Sequence, residues 1–165
     1  MNIQGALTGG CQCGAVRYVV AETNGRAVIC HCRMCQKAGG NYFGAFSGAA
    51  HIDDVTVTRG AFSVFVSSDT GERLFCSSCG TPLGFRSTSE PLIWVTAGSL
   101  DDPTLVMPDH QSGGESRIPW LDDALHTPLS STDKNTNPKV ALFGLTRRPD
   151  NHQHPDYDTP DWPIT

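Results

Sequence analysis

Basic residues are scarce in this sequence. Lys and Arg together number 12 against 17 Asp and Glu, for a formal net charge of −5, and nucleic-acid affinity grows with the number of phosphates that cations neutralise. Nucleic acid is therefore not an expected partner. Long apolar runs are missing too: no stretch approaches the roughly 18 to 20 residues needed to span a bilayer, and the N-terminal residues carry neither a basic segment nor an apolar signal core. No membrane partner is expected, and a cytoplasmic location is. The seven cysteines cannot all pair with one another. An odd count without a secretory segment argues against a disulfide-bonded secreted domain, and points to metal or thiol chemistry in a reducing compartment.

Glycine and proline, by contrast, are plentiful. With 17 Gly and 11 Pro in 165 residues, and only 18% charged residues, the composition suggests many turns and short strands, a mainly β chain built on one core. Strands are expected at 16–20, 26–29, 41–47, 55–58, 62–66, 72–75, 82–86 and 92–97, where β-branched and aromatic residues gather between Gly, Pro and polar turns. The turn at 22–25 reads as the bend of a hairpin joining the first two of these strands. A single helical turn is expected at Gln36-Lys37-Ala38, stopped by Gly39-Gly40. From about Asp109 the sequence becomes polar and irregular backbone is expected. The division is one domain over 1–127, which holds all seven cysteines, and a Pro-rich extension over 128–165, partly mobile or packed on the surface.

The cysteines fall into three motifs: Cys11-Gln12-Cys13-Gly14, Cys30-His31-Cys32-Arg33-Met34-Cys35, and Cys76-Ser77-Ser78-Cys79-Gly80. A C-x-C or C-x-x-C pair supplies two ligands and a closed tetrahedral zinc site needs four, so Cys11, Cys13, Cys76 and Cys79 are expected to share one ion. Gly14 suits the residue after a metal turn, where positive φ and close approach to a thiolate favour glycine. Cys30, Cys32 and Cys35 then form a second site, with three protein ligands and one position left for water or substrate. An extended backbone at Cys30–Cys32 points both sulfurs one way and His31 the other, so His31 is a poor fourth ligand. Against this stands the reading of free cysteines as small buried apolar residues, and of iron in place of zinc. Glycine-flanked pairs speak against the first.

These three motifs, with Gly80-Thr81-Pro82-Leu83 after the last, the run from Val95 to Pro103 and the later Pro119-Trp120, resemble the glutathione-dependent formaldehyde-activating enzyme family, also called the centromere protein V domain family. The resemblance spans about residues 5 to 122 and implies a zinc-bound β-tent fold of small packed sheets with little helix. It implies two Zn²⁺ per chain, a structural ion on Cys11, Cys13, Cys76 and Cys79 and a catalytic one on Cys30, Cys32 and Cys35, in agreement with the division from spacing. It further implies a carbon-sulfur lyase that joins glutathione or a similar thiol to formaldehyde or another small aldehyde. The alternative is a non-catalytic zinc scaffold or protein-interaction module. Three thiolates on Zn²⁺ leave a net charge near −1, better suited to holding a thiolate or polarising a carbonyl than to making hydroxide.

A carboxylate-bearing thiol needs cations near the site. Arg33 and Lys37, four apart around the metal turn, are the candidates, with Arg86 and Arg117 behind them. His51, His110 and His126 are candidate proton shuttles whose commoner role is structural, and His152-x-His154 suits adventitious metal. The sequence leaves the oligomeric state open.

Overall fold

A computed structural model describes residues 5–129 and 153–159. Most of the expected extension, with His152, lies outside them. The chain divides into two units, one of residues 1–118 with 153–165 and one of residues 119–152. In the second, the described residues carry the short helix α2 (Leu121–Leu125), with Leu121 buried. No helix among the described residues is long and apolar enough to cross a membrane.

The first unit is mainly β, as expected, and its described residues form three small sheets. β1 (Leu7–Gly10), β2 (Arg17–Val20) and β6 (Val55–Arg59) form one antiparallel sheet in the order β1-β2-β6. A second, also antiparallel, has the order β5-β10-β9-β8-β7, from β5 (Ala50–His51), β7 (Ser63–Ser68), β8 (Gly71–Phe75), β9 (Pro82–Ser87) and β10 (Leu92–Val95). The third places β3 (Ala27–Cys30) between β4 (Gly44–Phe46) and β11 (Pro108–Ser112), antiparallel to the first and parallel to the second.

Strand alternation selects the core. Tyr18 and Val20 on β2, Leu74 on β8, Leu83 on β9, and Ile93 and Val95 on β10 are each at most 2% exposed, and they belong to one apolar cluster with Leu7, Val16 and Leu100. Each such side chain contributes on the order of 1.5–3 kcal/mol by leaving water. Cys11 and Cys76 are buried in the same cluster, so two sulfurs sit at the edge of the core.

Three expectations are corrected. The strands before and after the 22–25 turn do not form a hairpin: β2 pairs with β1 and β6, while β3 pairs with β4 and β11. The turn delivers the chain from one sheet to another, because both edges of β2 are already taken. The helix after the central motif, α1, runs from Arg33 to Gly39 and takes Arg33, Met34 and Cys35 into its first turns. Cys32 is its N-cap, its sulfur accepting from the Cys35 N–H at 3.4 Å, and Gly40 ends it at φ 59°. The polar stretch after Pro108 is also a strand, held by backbone pairing to β3 and not by an apolar face.

Candidate metal centre

Two of the three cysteine motifs are hairpin turns. Cys11–Gly14 joins β1 to β2, and Cys76–Gly80 joins β8 to β9. They are built alike: the Cys11 N–H donates to Val16 O at 3.0 Å and the Gly14 N–H to Cys11 O at 2.9 Å, while the Cys76 N–H donates to Thr81 O at 3.0 Å and the Gly80 N–H to Cys76 O at 2.9 Å. Gly14 and Gly80 close the turns at φ 75° and 77°, a left-handed backbone that glycine adopts without strain. Each turn thereby aims its two sulfurs at the other turn.

The four sulfurs of Cys11, Cys13, Cys76 and Cys79 all lie within 4.8 Å of one another. Cys11 and Cys13 are 3.6 Å apart, Cys13 and Cys76 3.9 Å. Sulfurs at about 2.3 Å from a tetrahedral zinc are separated by about 3.8 Å, so the spacing fits that ion. Burial pushes the Cys11 thiol up to about 12, although the Val16 N–H, 3.2 Å from its sulfur, works against the rise. At Cys79 burial also opposes ionisation, but the Thr81 hydroxyl at 3.1 Å and nearby amides outweigh it and bring the thiol down to about 6. A divalent cation would supply the charge that allows the buried members to ionise.

The second group is Cys30, Cys32 and Cys35, again with all sulfurs within 4.8 Å of one another. Cys30 ends β3, Cys32 caps α1 and Cys35 lies one turn into it. No fourth Cys, His, Asp or Glu of the described residues joins them. His31 is 1% exposed and points away into a cage of its own, its Nε2 donating to Gln111 Oε1 at 2.7 Å and its ring edge-on to Phe43. Gln36 Nε2 ties the helix to its surroundings, donating to His31 O at 2.7 Å and to Ser116 O at 2.9 Å. Burial raises the Cys35 thiol to about 12 even with the Arg73 guanidinium 3.5 Å from its sulfur. At Cys30 the burial effect is outweighed by the Ser112 hydroxyl and the Cys32 amide, and its pKa is lowered.

Cys35 opens onto a cavity of about 690 Å³. Met34, Phe43, Phe46, Phe65 and Phe75 make much of its wall, and Lys37 and Arg73 are its cations. Of the two substrate-binding candidates, Lys37 thus reaches the cavity. Arg33 is not among its lining residues, and its guanidinium donates instead to Gln36 Oε1 on the same helix. Arg86 is paired with Glu72. His51 accepts from the Asp53 N–H, His110 contacts Asp109 and His126 caps α2, and none of them joins a sulfur group. His154 is buried where its N–H donates to Gln12 O at 2.7 Å.

Arg73 was not singled out from the sequence, nor were Gln36 and Gln111. Within Glu72-Arg73-Leu74-Phe75, strand alternation marks Arg73 only as the face opposite Leu74, with nothing to tell a site cation from a solvated one.

The sequence matches the family described as glutathione-dependent formaldehyde-activating enzyme over residues 6–112. A Halomonas elongata protein described as "Putative glutathione-dependent formaldehyde-activating enzyme" is 37% identical over 106 residues, which are 58% of this chain and 66% of that protein, a little under two thirds of its length. A crystal structure of a Rhodobacter sphaeroides protein superposes with a TM-score of 0.52 at 26% identity, covering 63% of this chain and 98% of the other.

Proposed function

The chain belongs to the glutathione-dependent formaldehyde-activating enzyme family, and from that premise we propose that it joins a thiol, glutathione or a close relative, to formaldehyde or another small aldehyde at the Cys30, Cys32 and Cys35 centre. In the reaction the thiol loses its proton, its sulfur attacks the carbonyl carbon, a C–S bond forms as the C=O π bond breaks, and the oxygen takes up a proton. The product is an S-hydroxymethyl adduct or its homologue; run backwards, the step is a carbon-sulfur lyase reaction. The observation that carries this reading is the juxtaposition of three thiols, joined by no fourth Cys, His, Asp or Glu of the described residues, with a cavity large enough for a substrate.

A zinc ion on the three sulfurs would stabilise a substrate thiolate or polarise a carbonyl oxygen. The chain's own residues do the rest. The aromatic wall of the cavity excludes water from the reacting pair, and confining thiol and aldehyde beside each other turns an encounter in solution into a reaction between neighbours. Lys37 anchors a substrate carboxylate at the rim. Arg33, turned to Gln36, serves the helix first and reaches substrate only by releasing that bond. Cys11, Cys13, Cys76 and Cys79 would hold a second, structural zinc. Seven free thiols suit a reducing cytoplasm.

Cys32→Ser is the test, with adduct formation followed by NMR above the uncatalysed background. The variant is expected to keep its fold and one ion and to lose the catalysed rate. Turnover equal to wild type would refute the assignment, and a wild type that never exceeds background would favour a zinc scaffold without activity.

A further inference from the structure

Arg73 lies on β8, opposite Phe65 of β7 and Phe85 of β9. Its guanidinium carbon stands 4.9 Å from the centroid of the Phe85 ring, and Nη2 donates to Cys35 Sγ at 3.5 Å. It is half-buried, and its Nε is buried with no acceptor. The other arginines of these sheets have carboxylate partners: Arg17 has Asp101, Arg59 has Asp158 and Arg86 has Glu72. No carboxylate of the described residues pairs with Arg73. Its polar contact is the Cys35 sulfur on α1, and both residues line the cavity.

A cation held out of water without a carboxylate is costly unless an anion meets it. Three thiolates around a divalent ion carry one negative charge in excess, and Arg73 carries one positive charge beside the most buried of the three sulfurs. The two imbalances cancel. The Phe85 face fixes the planar guanidinium by a cation–π contact, so its direction toward Cys35 is set before any ion arrives. We propose that Arg73 is a positioning residue of the three-cysteine centre: it neutralises the excess charge, holds Cys35 as a ligand and raises the affinity of that site for its ion. The inference rests on the reading that Cys30, Cys32 and Cys35 bind an ion.

Groups that hydrogen-bond to metal ligands typically affect ion affinity by 10–100-fold. The test is zinc competition on the full chain against a chromophoric chelator at fixed pH. Wild type is expected to release one ion before the other. Arg73→Gln should weaken the more labile ion by about 10–100-fold and leave the tighter one unchanged, and Arg73→Lys, which keeps the point charge, should recover most of the loss. An Arg73 that merely braced the sheet would lower the melting temperature and the affinity of both ions together. Labile-ion affinity in Arg73→Gln within about twofold of wild type would overturn the inference. A measurement on the wild type decides the matter if that variant does not fold. On stripping the labile ion, the ¹⁵N side-chain resonances of Arg73 should move while those of Arg17 stay, and an unmoved Arg73 overturns the proposal. Wild type that binds a single ion refutes both the three-cysteine reading and this inference, whereas two ions with an indifferent Arg73→Gln refutes this inference alone.

Discussion

Arg17 meets Asp101 in a bidentate pair, 2.8 and 2.5 Å, with side chains only 4% and 12% exposed. Next to it, Tyr18 and Ser99 share a hydrogen bond of 2.6 Å, so β2 and the loop after β10 are joined by polar contacts beside the core. Removing one member of a buried pair strands the other charge, which costs about 3–5 kcal/mol, while replacing both with apolar groups is often close to neutral. Asp158 stands 3.8 Å from Arg17 Nε but is 58% exposed, so Asp101→Ala is expected to lose about 3 kcal/mol, the lower end of that range, in urea unfolding, and the Arg17→Met/Asp101→Leu double variant much less. Burial alone would raise the Asp101 pKa, but the Arg17 guanidinium and the Thr8 hydrogen bond outweigh it and hold the carboxyl below its usual range. A carboxyl with a depressed folded pKa gives stability that is present above the ordinary carboxylate pKa and drains away as pH falls through the folded value. The stability difference between wild type and Asp101→Asn should thus shrink as the pH is lowered through that range. A gap that is constant with pH would mean the pair is not the cause.

β11 shows where local pattern stops informing. The cysteine motifs were legible because their ligand spacing is itself local, and strands such as β6 and β10 were legible because β-branched residues alternate there. Pro108–Ser112 has neither signal, and its burial pattern is mostly exposed. It is a strand because β3 offers it a free edge about 80 residues earlier in the chain, with the His31 N–H donating to Ser112 O at 2.8 Å. That pairing also brings Gln111 to His31 and Gly113 to Cys32, so a segment without an apolar face shapes the three-cysteine centre. Gly113 has φ 68°, and a Cβ there would meet the Cys32 nitrogen at 2.6 Å. Gly80 has φ 77° and open space around the same position. Gly80→Ala should cost only the left-handed backbone, about 1–2 kcal/mol, and leave the three-cysteine ion in place. Gly113→Ala adds a collision with the Cys32 backbone and should weaken that ion as well as the fold. Chelator competition alongside denaturant unfolding separates the two, and equal ion affinities would contradict the close approach.

The two sulfur groups occupy different mechanical positions. Cys11 and Cys13 belong to the turn of one sheet and Cys76 and Cys79 to the turn of another, so an ion there would clamp two sheets through residues as far apart in sequence as Cys13 and Cys76, 63 positions. Loop-closure entropy over that length grows only logarithmically, whereas structural zinc binding returns on the order of 10 kcal/mol. Such a clamp would be large compared with the whole stability of a small domain, about 5–15 kcal/mol. Cys30, Cys32 and Cys35 instead sit within one strand-to-helix connection of six residues, where an ion closes almost no additional loop. Graded chelation should accordingly proceed in two stages. The first ion leaves with the β circular-dichroism signal intact and any thiol–aldehyde turnover abolished. The second leaves together with cooperative unfolding. Cys76→Ser should fail to accumulate as folded protein, while Cys32→Ser should unfold at close to the wild-type denaturant midpoint. If unfolding accompanied the first ion, or if Cys76→Ser were as stable as wild type, the four-sulfur group would not be the clamp between the sheets, and the core around Leu74, Leu83 and Val95 would have to hold them unaided.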